Sequence, residues 1–169
     1  MWATIAAEAS AESRLWSDAL KPARVEEPVF SPLADERFRL GLETIYEGYL
    51  VHYGTPRLFA AQDGDTALLL GDYLYAHGLV RVAEFGETDA VADLSELISL
   101  CSQLRAEDAA GDGPLWAASA ALLGAGPQLD EARAALRLRG DAGPLEAAAR
   151  EAAGDGAVDE ALAAHAALR

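Results

Sequence analysis

The feature that most constrains this chain is a helical hydrophobic period that runs almost end to end, broken only where glycine and proline cluster. Phe38, Leu42, Ile45 and Tyr49 recur at three- and four-residue intervals, the spacing that stacks side chains on one face of an α-helix. Val91, Leu94, Ile98, Cys101 and Leu104 form a second such stripe. No segment shows the period-two alternation of a half-buried strand, so an α/β enzyme is not expected. The reading is all-α, a helical bundle.

The breakers place the elements. A first helix is predicted over 2–20, with Trp2, Ile5, Leu15, Trp16 and Leu20 as its apolar residues. Pro22, Pro28 and Pro32 mark a linker, and Ser31 before Pro32 is a capping start for the next helix, which Gly54 and Pro56 stop. Asp63-Gly64-Asp65 turns the chain, with Asp65 as the cap. The segment TALLLGDYLYAHGLVRVAEFG is apolar on almost every side, the mark of a central helix. It is predicted to be the most buried element, with Leu69 in the core. After Gly86 comes a helix over 89–105, then a short helix around Trp116 ending at LLGAGP. Three Ala-rich segments follow Gln128, and their spacing fits no solenoid repeat. The predicted organisation is an N-terminal helix and linker over 1–30, a core over 31–126 and Ala-rich helices over 127–169.

At 169 residues the chain fits one domain, and 51% hydrophobic with 24% charged residues is ordinary globular composition. Thirteen basic against 28 acidic residues leave a net charge of −15, which disfavours nucleic acid and anionic membrane surfaces as partners. The lone Cys101, among Leu97, Ile98, Leu100 and Leu104, reads as a small buried side chain, with neither an internal disulfide nor a thiolate zinc site open to it. The N-terminus lacks the basic start of a signal peptide, and no apolar run approaches the ~18 residues of a membrane span, so the cytoplasm is the expected location.

Few residues offer chemistry. Glu43 and Glu47 lie four apart on one helical face, more in keeping with a solvated or salt-bridged face than with a metal site. Asp72, in an apolar helix, requires a partner. His77 is expected to make a structural hydrogen bond, and His52 and His165 form no ligand pair. Ser95, Ser99 and Ser102 have no adjacent histidine to make a nucleophile. Tyr46, Tyr49 and Tyr53 form a stripe typical of a core or an interface. No cofactor is expected.

The stretch HYGTPRLFAAQDGDTALLLGDYLYAHGLVRVAEFG resembles the centre of trans-polyprenyl diphosphate synthases. Gly54-Thr55-Pro56 matches the G-x-P that follows that family's first D-D-x-x-D motif, Gly71-Asp72-Tyr73-Leu74 matches its G-D-x-L, and Leu123-Gly124-Ala125 resembles its later L-G-A. The likeness covers roughly residues 40 to 125 and implies a truncated isoprenoid-synthase fold. It places the family's three aspartates on Glu43, Thr44 and Glu47 and its paired arginines on His52 and Tyr53. Ionising an allylic diphosphate takes Mg²⁺ held by clustered carboxylates, with cations against the phosphates. Here one carboxylate and both arginines are missing, and neither the family's Lys-Thr pair nor its second aspartate-rich motif is present.

The resemblance therefore implies a degenerate, non-catalytic member acting through a protein partner, either a catalytic prenyl synthase or a larger assembly such as a quinone-linked respiratory complex. A small enzyme or an isoprenoid-chain binder using the old apolar cavity is the third reading. Trp2 and Trp16 are the expected interface anchors, with the 127–169 tail as a second docking element; the competing expectation is that both ends fold back and complete the bundle.

Overall fold

The computed structural model describes residues 1–169 and is all-helical. The helices are α1 (Trp2–Glu12), α2 (Arg14–Asp18), α3 (Arg39–Tyr53), α4 (Gly64–Ala83), α5 (Thr88–Ala106), α6 (Asp112–Ala121), α7 (Asp130–Arg139), α8 (Gly143–Ala153) and α9 (Asp155–Leu168). None is long and apolar enough to cross a membrane.

The bundle is organised around α3, every residue of which from Gly41 to Leu50 is buried. Its closest partner is α4, and glycine makes the closeness possible. Gly41 and Gly48 face Gly78 and Gly71, so each helix brings two glycines seven residues apart to the contact, in antiparallel register. A Cβ on Gly48 would stand 2.9 Å from the Gly71 carbonyl oxygen, and one on Gly78 would stand 2.8 Å from that of Gly41. The two backbones pack at a distance that no other residue type allows, because the side chain that normally separates crossed helices is absent.

Being the partner of α3 does not make α4 the central element. Its inward face is Leu70, Gly71, Leu74, Tyr75, Gly78, Arg81 and Val82. Leu69 is 57% exposed, against the expectation that it sits in the core, and Leu68 and Val80 are exposed to a similar degree. The helix carries apolar residues on all sides but has only one covered side.

Three boundaries also differ from expectation, each for a local reason. The predicted first helix breaks at Ser13, which adopts an extended backbone and accepts the Leu15 N–H at 3.1 Å, capping α2. Ser31 and Pro32 start only a short 3-10 turn, and a second over Glu36–Phe38, capped by Asp35, precedes α3. The cap of α4 is Asp63, accepting from Thr66 N at 2.8 Å, while Asp65 lies inside the first turn.

Both ends fold back onto the bundle. Leu20 and Phe59 form an isolated antiparallel bridge that turns the linker toward the core. Trp2, Ile5, Ala9 and Trp16 then close a second hydrophobic cluster with Leu58, Phe59, Leu70 and Leu74. The two tryptophans are thus buried against their own chain and are not free interface anchors. Trp16 stacks on Tyr73 at 5.8 Å, and Glu8 on α1 pairs with His77 at 2.8 Å and with Arg81. At the other end, Leu136, Leu145, Ala149, Val158 and Ala161 join the main cluster with Leu94, Leu97 and Trp116. Gly140, at φ +66°, supplies the left-handed residue that ends α7.

Candidate functional site

The carboxylates singled out by the sequence meet at one place, on the face of α3 covered by the linker. Glu43 and Glu47 are wholly buried, and so is Arg57, which the chain delivers from the loop just past Pro56. Glu43 takes Arg57 Nη1 at 2.7 Å on Oε2, and the N–H groups of Val29 (3.0 Å) and Ser31 (3.2 Å) on Oε1. Glu47 takes Arg57 Nε at 3.1 Å on Oε2 and Leu58 N–H at 2.7 Å on Oε1. All four carboxylate oxygens are engaged. The Trp2 and Tyr46 rings lie 4.6 and 4.9 Å from the guanidinium carbon, a cation–π arrangement that shields it from water.

This arrangement is a clamp. Glu43 holds the linker, Glu47 holds the segment after α3, and Arg57 joins the two. A buried ion pair is stable only when its remaining hydrogen-bonding capacity is met, and the backbone donors meet it for both acids. The pair is salt-bridged, as one reading of the sequence had it, and not solvated. Nowhere in the chain do three or more His, Cys, Asp or Glu side chains gather in a way that could hold a metal ion.

The other positions matched to the prenyl-synthase pattern have structural partners of their own. Thr44 donates to the Leu40 carbonyl at 2.7 Å. His52 packs over Gly71 and pairs with Asp72 at 3.3 Å. Burial holds its imidazole below the ordinary histidine value, although the Asp72 charge opposes this. Asp72 itself is largely exposed, so its partner costs it little desolvation. Tyr53 donates to Ser102 at 3.3 Å. Gly54 lies against the Leu168 carbonyl, where a Cβ would approach to 2.7 Å, and the Pro56 carbonyl accepts from Lys21. Ser95, Ser99 and Ser102 each donate to the carbonyl four residues back.

A second polar centre went unnoticed in the sequence. Asp112, buried at the start of α6, accepts from Tyr49 and lies 3.1 Å from Arg105, 3.2 Å from Arg169 and 3.5 Å from His165 Nε2. His165 Nδ1 reaches the Tyr46 hydroxyl at 2.9 Å. Burial alone would raise the Asp112 carboxyl, but hydrogen bonds from His165 and Tyr49 and the charges of His165 and Arg169 outweigh it and hold it well below the usual carboxylate range. Burial pushes both tyrosine hydroxyls far up. An Asp–His–Tyr chain of this kind resembles a relay, but its tyrosine is neutral and wholly buried. It fastens α9 and α6 to α3.

The signal for Arg57 was present: it is the one cation between Arg39 and Arg81 in a stretch with two acids on the adjoining helix. Nothing local announced Asp112 and His165, which lie far apart in the chain. No family model matches this chain, and neither does any curated protein or solved structure.

Proposed function

We propose that this chain is a non-catalytic helical subunit, similar to a trimmed polyprenyl diphosphate synthase, that acts by binding a catalytic synthase. The observation that carries the reading is the clamp. The two carboxylates at the positions of the family's metal-binding aspartates have every oxygen committed to Arg57 or to backbone N–H groups. A cation has nothing left to coordinate there, and a diphosphate meets no free arginine. What remains is a rigid α3–α4 scaffold serving packing.

The attachment belongs on α4 rather than at the ends. Leu69, Ala76, Val80 and Ala83 are exposed along one side of that helix, and the charges beside them, Asp65, Asp72 and Glu84, are all acidic. A second copy would bring like charges together, whereas a partner with an apolar strip flanked by lysine or arginine complements the face.

The test is co-purification. Tagged wild-type chain, expressed in its native cells, should retain a full-length polyprenyl diphosphate synthase, and Leu69→Asp with Val80→Asp should release it without altering the helical circular dichroism. Absence of a synthase from the wild-type eluate, or its equal retention by the variant, would refute the proposal.

A further inference from the structure

On the far side of the clamp, a cleft of about 410 Å³ separates the linker from α9. Val25, Pro28 and Val29 wall it on one side, and Ala157, Ala161 and Ala164 on the other. The three alanines recur at four- and three-residue intervals, so a single face of α9 lines the cleft, and their short side chains leave the space open. The volume is that of a small-molecule site. Val25, 50% exposed, leaves apolar surface there for a ligand to cover.

Two carboxylates give the cleft its polarity. Glu160 follows Ala157 by three residues and precedes Ala164 by four, which puts it on the same face of α9, and Glu27 lines the cleft from the linker. Both residues are exposed, and neither side chain makes an ion pair or a hydrogen bond within the chain. Arg57, the one base in the lining, cannot answer them, because its side chain is wholly buried and held by Glu43 and Glu47. Lys21 and Arg24 donate to the Pro56 and Lys21 carbonyls, Arg169 pairs with Asp112, and none of the three lines the cleft.

Charge and apolarity together decide the ligand. An anion would meet two unanswered carboxylates, and behind them one arginine outnumbered by two glutamates, on a chain of net charge −15. A bare metal ion gains nothing from apolar walls, and no three ligating side chains gather to hold it. A neutral molecule would fill the cleft without using its acids. We infer that the cleft binds a small organic cation, an ammonium group on an alkyl or aryl body, with the body between linker and α9 and the ammonium against Glu27 and Glu160. This site is independent of the α4 face and of any synthase partner.

The experiment is a titration of the ¹⁵N-labelled full chain with octylammonium, 1-octanol, octanoate and methylammonium, read at backbone amides 25–29 and 157–168. Octylammonium should shift both sets and saturate, at an affinity at least tenfold above that for octanoate or methylammonium and clearly above that for 1-octanol. Glu27→Gln and Glu160→Gln, at exposed positions without partners, should each weaken octylammonium about threefold and together about tenfold, while leaving 1-octanol unchanged. Ala164→Phe, which fills the cleft from a half-buried position, should weaken octylammonium and 1-octanol alike; Ala157→Leu does the same should Ala164→Phe melt early. Absence of saturable shifts, octanoate, methylammonium or 1-octanol binding as tightly as octylammonium, shifts spread over the acidic surface and not confined to the cleft, unchanged affinity in the double Gln variant, or unchanged affinity in both filled variants would each overturn the assignment.

Discussion

Arg57→Met should be among the most damaging single substitutions in this protein. The change leaves Glu43 and Glu47 in place, each with an oxygen that has lost its donor, at positions with no access to water. Breaking a buried ion pair by removing one partner costs about 3–5 kcal/mol, because the orphaned charge keeps its desolvation penalty. Here two carboxylates share one cation, and the Glu27 carbonyl loses its donor as well, so the upper half of that range applies. Against a total stability of about 5–15 kcal/mol, that loss is about a quarter or more of the whole. Urea melts followed by circular dichroism measure the loss. The triple variant Arg57→Met, Glu43→Gln, Glu47→Gln removes the charges along with their partner and should recover about 1–2 kcal/mol of it, since coupled residues do not add. A loss below about 1 kcal/mol in Arg57→Met, or a triple variant worse than the single, would mean that the acids reach solvent and that the clamp does not exist.

Gly78→Ala should destabilise by about 1–3 kcal/mol despite alanine's better helix propensity, because its Cβ meets the Gly41 carbonyl and the Ile45 main chain, neither of which can step aside; a stabilised variant would show that α3 and α4 do not touch there. Leu74→Ala should cost about 2–5 kcal/mol in the same melts while Leu69→Ala stays within about 0.5, reflecting their opposite faces of α4; comparable losses would place Leu69 in the core after all. Because the Asp112 carboxyl is held below its unfolded value, the stability it provides is complete above about pH 4 and falls as the pH drops toward its folded value. Asp112→Asn should therefore flatten the acid limb of a stability–pH curve, and an unchanged slope would refute the network around His165.

The helical class and most helix positions were legible because the period of the apolar residues is a local property. Leu42, Ile45 and Tyr49 are buried on α3 and Phe38 on the turn before it, although α3 is covered all round and not on that stripe alone, and Cys101 is wholly buried as its neighbours implied. What failed was orientation. In α4 the apolar residues surround the helix, so periodicity carries no direction, and the glycines that select the covered face act through a partner helix. For the tryptophans the sequence leaves docking on a partner and folding back equally open, because a proline-rich linker gives no sign of its direction; the return depends on a bridge between Leu20 and Phe59, far apart in the chain. The site was half legible. The sequence pointed to Glu43 and Glu47 as a pair, but their meaning rests on Arg57, 14 and 10 residues away across a helix end.

The central claim is that the acidic pair on α3 is a structural clamp and not a working metal site. Purified chain incubated with Mg²⁺ and both allylic and homoallylic diphosphates addresses it most directly, with chain elongation followed by radiolabelled product. The clamp predicts no elongation above a protein-free control. Mg²⁺-dependent product that disappears in Glu43→Gln would contradict it.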